Sequence, residues 1–417
     1  MIDAIASWML QFGALSWLGH TGASVAAVSL VGTALFIFVA ANAIVLVYVE
    51  RKVSAFMQVR LGPMRVGPMG TLQTVADALK LLVKEDIIPQ FADKILFRVG
   101  PWVILVSAFV TFAAIPFSPT WVPADMSIGL FYVVSVSSVV VIGIVMAGWA
   151  SNNKWSLYGA MRSAAQIVSY EIPVGLSLLA AVAVVGTLNL QELIHAQAGV
   201  GNLFHWIPIP VPNWFIFNNP FLFIAAFVYL IAATAEVNRT PFDIPEAESE
   251  LVAGFMTEFS GIRWALFFLS EYANAAVVAL LTAIVFLGGW QSPFPDIQGA
   301  RIGMSVLAIL AILWTIYVKY KANRFSIYPL LMTVVLAAMA WLFPAFARWL
   351  ANPGLIWIAI KGGTIIFLLM WFRWTFPRLR VDQLMYVSWK VLLPLAMINL
   401  AGVAIWMWLT GAINLVG

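Results

Sequence analysis

The chain has 417 residues, 63% of them hydrophobic and 10% charged, with a mean hydropathy of +0.97 and a formal net charge of +4. A soluble domain carries roughly a quarter of its residues as Asp, Glu, Lys or Arg, so an ordinary water-facing surface is excluded, and the small net charge gives no reason to expect a nucleic-acid partner. Cysteine is absent, and His20, His195 and His205 lack metal-ligand spacing; disulfides, thiolate-held Fe–S clusters and Cys-based zinc sites are excluded, and any redox centre is expected in a partner.

Residues 1–23 hold no Lys or Arg, so the basic start of a cleavable signal peptide is missing. The apolar stretch 5–18 is short for a span and reads as the lead into the first helix. A bilayer core needs about 20 mainly apolar residues per helix. That length selects segments near 26–48, 99–116, 128–149, 164–187, 220–237, 264–288, 301–318, 327–346, 354–374 and 387–410. The expectation is an all-α polytopic membrane protein, a single domain over 1–417 with about ten transmembrane helices. After the first span, Gly62, Pro63, Gly67, Pro68 and Gly70 form a turn-rich loop that cannot continue a helix. Leu72, Val75, Ala76, Leu79 and Leu82/Val83 then recur at helical spacing, with Asp77, Lys80 and Lys84 elsewhere. This predicts an amphipathic helix at the membrane surface or beneath a partner subunit. The connections 117–127 and 187–219 lack Lys and Arg and carry Trp121, Trp206 and Trp214, as an interfacial aromatic belt does. They read as structural closures. A short polar turn, 319–326, joins the spans on either side of it.

Charge sets the orientation. With Met1 outside, all of the 22 Lys and Arg except Arg301, Arg348 and Lys361 fall on one side. By the positive-inside rule that side is cytoplasmic and both termini lie outside. The predicted amphipathic helix is then cytoplasmic.

Glu171, Glu236 and Glu271 interrupt apolar segments, where an ionised side chain at mid-membrane costs at least ~2.5–3.5 kcal/mol and normally faces a bundle interior or a watery cavity. Pro173, just after Glu171, removes a backbone donor and tends to kink the helix, leaving carbonyls for water or side chains to satisfy. A proton path needs protonatable groups, local hydration and shifted pKa values. The bland reading is that each Glu is neutral and hydrogen-bonded, tying two helices together. The segment 236–263 adds Asp243, Glu246, Glu248, Glu250 and Glu258, opposed by Arg239 and Arg263. Pro245 suits a first helical turn, where acids meet the dipole. That accounts for Glu246 and Glu248, but not for Glu250 four residues from Glu246, where like charges repel. Close carboxylates titrate as a coupled set and can store and pass protons. For Arg51, Lys52, Arg60 and Arg65, anchoring by the positive-inside effect is sufficient explanation. No Ser/His/Asp set and no nucleotide fingerprint is present. The residues alone point to a membrane protein that handles protons.

Four strings extend this. The first is Glu50-Arg51-Lys52, Gln58-Val59-Arg60-Leu61-Gly62-Pro63, Gly67, Gly70, Gln73, Ala76-Asp77-Ala78-Leu79-Lys80 and Lys84-Glu85. The second is Ala164-Ala165-Gln166-Ile167-Val168-Ser169-Tyr170-Glu171, and the third, very specific, runs from Ala235-Glu236-Val237-Asn238-Arg239-Thr240-Pro241-Phe242-Asp243 to Phe255. The fourth is Arg378-Leu379-Arg380-Val381-Asp382-Gln383-Leu384-Met385 with Trp389-Lys390. In this order, from about residue 26 onward, the chain resembles the quinone-site membrane subunit family of respiratory complex I, which is NADH-quinone oxidoreductase in bacteria and includes NADH dehydrogenase subunit 1 in mitochondria. The resemblance implies that Arg60, Asp77, Arg239, Arg378 and Asp382 belong to the quinone chamber or its lining. It implies that Glu171, Glu236, Glu246, Glu248, Glu250, Glu258 and Glu271 belong to the acidic route coupling quinone reduction to proton translocation. It further implies an enzyme component with no redox centre of its own in a bacterial inner membrane. FMN and Fe–S clusters would lie in partner subunits: peripheral-arm subunits at the quinone site, with antiporter-like and small subunits along the membrane.

The family usually has eight spans, and residues 301–346 add an apparent helical hairpin, which preserves the orientation of everything after it. A related membrane-bound hydrogenase or reduced-coenzyme dehydrogenase complex would use a cognate subunit. A secondary transporter is the non-enzyme alternative, though no internal repeat of the kind common in transporters is evident.

Overall fold

Long apolar runs in lipid must satisfy their backbone internally, and a helix does so within one segment. The computed structural model describes residue 5 and residues 19–244, 253–294, 296–322 and 328–410. The lead-in 5–18 therefore lies almost wholly outside the described residues.

In chain order, α1 spans Gly19–Met57, α2 Gln73–Val83, α3 Lys94–Val110, α4 Gly129–Ser137, α5 Val139–Ala150 and α6 Lys154–Val185. The short α7 (Leu190–His195), strands β1 (Val200–Leu203) and β2 (Ile207–Pro212), and α8 (Phe215–Asn218) precede α9 (Pro220–Glu236) and α10 (Gly261–Phe286). Helices α11 (Ile297–Ala322), α12 (Tyr328–Leu342), α13 (Pro344–Ala351) and α14 (Leu355–Thr375) follow. The last span comprises α15 (Val381–Tyr386), a π-helical turn over Val387–Leu392, and α16 (Leu393–Leu409).

Among the described residues, eight helices are long and apolar enough to cross a membrane. A ninth is added if Leu331–Leu342 and Pro344–Ala351, bent by 107°, count as one span, and Pro220–Glu236 is apolar but shorter. The segments selected from the sequence fall on these elements, with differences. Helix α1 continues to Met57, so Arg51 and Lys52 are helical residues rather than loop anchors. Helix α6 begins ten residues earlier than 164, at Lys154, where the Asn153 side chain accepts from Trp155 N–H and caps the first turn. It runs through Pro173 to Gly186, which ends it in the left-handed conformation. The closure 187–219 contains an antiparallel hairpin that pairs Val200 with Pro212 and Gly201 with Val211.

Helix α10 is the axis of the bundle: 78% of its most apolar window is buried. Ala232, Ala233 and Ala235 on α9 and Ala273, Ala276 and Ala283 on α10 are buried, and small residues let membrane helices approach closely. Helix α10 packs on α1, α2, α3, α9 and α14. The loops at its N-terminal end are tied together: Arg263 meets Asp86 at 2.8 Å, Asp93 N–H donates to Ala150 O at 3.0 Å, and Leu379 N–H donates to Pro241 O at 3.1 Å.

Helices α11, α12 and α13 pack mainly on one another, through Ala300, Met304, Ala308, Ala337, Ala340 and Ala347. Ser292 Oγ and Trp357 Nε1 both donate to Leu350 O, at 2.8 and 3.1 Å, joining this unit to the bundle.

Candidate functional site: a buried chain of charges

Helix α1 brings Glu50 to the loop end of the bundle, where it is only 6% exposed. An anion there costs several kcal/mol unless paired. It is heavily paired. Arg239, in the turn that follows α9, donates from Nη1 to Glu50 Oε2 at 2.9 Å. Tyr272 on α10 donates its hydroxyl to the same oxygen at 2.7 Å, and Arg373 near the end of α14 bonds Oε1. Arg239 has a second anion: its Nε lies 3.1 Å from Glu271 Oε1. That Nε makes no aligned hydrogen bond, so the contact is an ion pair. The guanidinium also sits 4.4 Å over the Tyr272 ring, a cation–π contact. Four elements thus converge on an alternating row: Arg373, Glu50, Arg239, Glu271.

The turn that holds Arg239 is built by Gln166 on α6. Its Nε2 lies within hydrogen-bonding distance of three acceptors that share its two N–H groups: Ala235 O at 2.7 Å, Asn238 Oδ1 at 3.0 Å and Phe242 O at 2.7 Å. The sequence signature ending at Glu171 is therefore, in part, a backbone clamp for the signature beginning at Ala235. Within that turn Asp243 is buried and accepts from Arg378 at 3.2 Å. Burial pushes its carboxyl from 3.8 up to about 6, with the Arg378 charge opposing.

The row continues into the membrane. Helices α4 and α5 form one span broken at Ser138. At the break, Ser138 bonds Glu171, and the preceding Ser137 Oγ donates to Glu236 Oε1 at 3.4 Å. Two cavities of about 40 Å³ each adjoin Glu236. They share Val140, Ile167, Glu236, Val237 and Asn274; one extends to Tyr229 and the other to Glu271. A water needs roughly 10–15 Å³ of accessible space, so each polar-flanked cavity is large enough to hold water. The distance from Glu171 to Arg373 is thus covered by carboxylates, hydroxyls, an amide and solvent-sized space.

Of the residues singled out from sequence, Glu171, Glu236, Glu271 and Arg239 come together, with Arg378 one ion pair away on Asp243. Glu258 stands apart, accepting from Asn153 Nδ2 at 2.5 Å. Asp77 on α2 faces Arg51 of α1 and Gln73 rather than Glu50. Its partial burial would raise its pKa, but the Arg51 hydrogen bond and charge prevail and hold it below the ordinary value. Leu72, which precedes that helix, and Leu79, Leu82 and Val83 within it are exposed. Arg60 is exposed and bonds Gln58 at 2.6 Å, and Asp382 is exposed in the first turn of α15. Pro245, Glu246, Glu248 and Glu250 lie outside the described residues. Glu50, Tyr272, Asn274 and Arg373 carry no site role on sequence grounds. The signal that could have found Glu50 and Arg373 is the one used for the others, a charge at the edge of an apolar span.

A polytopic helical bundle with a paired row of carboxylates and guanidiniums inside it defines an integral membrane protein that holds charge within its interior. The family model described as NADH dehydrogenase matches residues 30–404, and the chain belongs to that family. The H subunit of NADH-quinone oxidoreductase from Chlorobaculum parvum is 47% identical over 360 residues, 86% of this chain and 86% of the relative. The protein of the same name from Bacteroides thetaiotaomicron is 41% identical over 371 residues, 89% of this chain and 88% of the relative.

Proposed function

We propose that the row Arg373–Glu50–Arg239–Glu271, with Glu236 and Glu171 beyond it, senses quinone reduction at the loop end of the bundle and passes the resulting charge change into the membrane. The chain is a membrane subunit of NADH-quinone oxidoreductase, and peripheral-arm partners carrying FMN and Fe–S clusters deliver the electrons. Quinone binds against the end of the bundle that carries Arg60, Asp77, Arg239, Arg378 and Asp382. Two-electron reduction needs two protons, and withdrawing them or the compensating charge alters the field at Glu50. In a weakly screening interior that change reaches neighbouring carboxylates, and antiporter-like subunits perform most of the transport. The observation that supports this reading is the double engagement of Arg239, which lets Glu50 and Glu271 compete for one cation.

The basic residues of that end, against Arg301, Arg348 and Lys361 at the other, support a reading in which it faces the cytoplasm of a bacterium, with both termini outside. Helices α11 and α12, which cover most of 301–346, serve as a peripheral hairpin against lipid or an accessory subunit. The test is Glu271→Gln in the assembled complex: quinone reduction and proton pumping fall while NADH oxidation by an artificial acceptor survives. Normal quinone-coupled activity in that variant would sink the proposal.

A further inference from the structure

Lys361 is the one buried lysine among the described residues, 7% exposed and inside the α14 span. It is far from the charge row, yet it occupies a built site. Its Nζ donates to Leu287 O at 2.6 Å, Gly289 O at 2.9 Å and Gln291 O at 2.7 Å. The Trp214 ring lies 4.0 Å beneath it. Three carbonyl acceptors match the three N–H groups that only the ammonium form carries. The acceptors follow the C-terminus of α10, where the helix dipole favours a cation and end carbonyls need donors. Gly288 and Gly289 shape the cradle: both have positive φ, and a Cβ would come within 2.5 Å of Trp214 and 2.7 Å of Ile194, respectively. Gln197 fixes the cradle from behind, donating to Ile284 O and accepting from Gly288 N–H, both at 2.9 Å.

Helix α14 is therefore joined to the α10 region by a cation at each end. Twelve residues, about 18 Å of helix, separate Lys361 from Arg373, whose guanidinium meets Glu50. Tyr272 of α10 bonds the same Glu50. Between them the contact is close and apolar: Gly362 has Leu280 within 3.3 Å of where a Cβ would stand, and Ile365 and Leu369 pack with Ala279. Such a surface resists separation, and the polar contacts at its two ends add directional constraints along the axis. We infer that Lys361 is a positioning residue that fixes the axial register of α14 on α10 and thereby holds Arg373 on Glu50. This rests on the proposed role of the charge row.

Two variants in the assembled complex separate the claims. Arg373→Met tests the row itself: undiminished quinone-coupled activity there would remove the premise. Lys361→Ala tests the pin. Quinone reductase activity is expected to fall at least about tenfold, as a displacement of about 1 Å suffices for, while NADH oxidation by an artificial acceptor is unchanged. Methylammonium, which fits the vacated cradle, is expected to restore activity. Spin labels at Trp374→Cys and Ile262→Cys, in a chain with no native cysteine, read the register directly. Their distance distribution is expected to shift or broaden in Lys361→Ala and to recover with methylammonium. An unchanged distribution, unchanged activity, or a loss that methylammonium does not reverse overturns the inference. If Lys361→Ala does not assemble, assembly in cells supplied with methylammonium becomes the readout, and failure there overturns it too.

Discussion

Ser388 supplies the hydrogen bond that Pro173 removes. Pro173 lacks an N–H, so the carbonyl four residues earlier, Ser169 O, loses its helical donor; Ser388 Oγ, in the π-helical turn of the last span, donates to it at 2.7 Å. Tyr170 Oη reaches the same region, donating to Leu384 O at 2.9 Å. The interruption in one helix and the widened turn in the other are two halves of a single contact. It holds α6, which bears Glu171, against the segment that follows Arg378. Ser388→Ala is expected to destabilise the complex by about 1–3 kcal/mol, the cost of an orphaned buried acceptor. Thermal inactivation measures it, and the loss should largely vanish in a Pro173→Ala background, where the ordinary donor returns.

Arg239 is 6% exposed and serves two carboxylates. Arg239→Lys keeps the charge but loses the fork that reaches both. Quinone-coupled turnover is expected to drop at least about tenfold with the artificial-acceptor reaction intact. Equal turnover in variant and wild type would show that bridging Glu50 and Glu271 is unimportant.

The raised Asp243 carboxyl gives a pH dependence of known sign. In the folded protein it holds its proton until about pH 6, against 3.8 ordinarily. Folded protein thus binds more protons than unfolded protein across that interval, and stability falls as pH rises through it. Asp243→Asn mimics the protonated form and is expected to flatten the stability profile between about pH 4 and 6. A profile that stays as steep as wild type would contradict this.

Asn274 borders both cavities beside Glu236. Asn274→Leu fills solvent space and removes an amide, so proton pumping is expected to fall more than quinone reduction. A proton-to-electron ratio equal to wild type would argue against water between Glu236 and Glu271.

Sidedness is testable because the chain has no cysteine. A cysteine replacing Lys154 should react with an impermeant maleimide only in inside-out vesicles, and one replacing Arg348 only in right-side-out vesicles.

The helical membrane architecture was legible because its cause is local: an uninterrupted apolar run with no charge leaves the backbone one way to satisfy itself. The isolated Glu171, Glu236 and Glu271 were legible for the same reason, as expensive exceptions. The pairing was not. Glu50 and Arg239 are 189 positions apart, and no periodicity near either announces the other. Glu50 adjoins Arg51 and Lys52, which made the end of α1 resemble the start of a loop. The hairpin at 200–212 was hidden because Pro208, Pro210 and Pro212 look like breakers; the intervening Ile209 and Val211 keep the donors that a two-stranded ribbon requires.

The smallness of the two spaces beside Glu236 has a consequence for what the bundle keeps out. A sodium or potassium ion with its shell of coordinating water is larger than such spaces admit, and shedding that shell carries a large desolvation cost. Passage of hydrated metal cations beside Glu236 is thereby opposed on size alone, while water still fits.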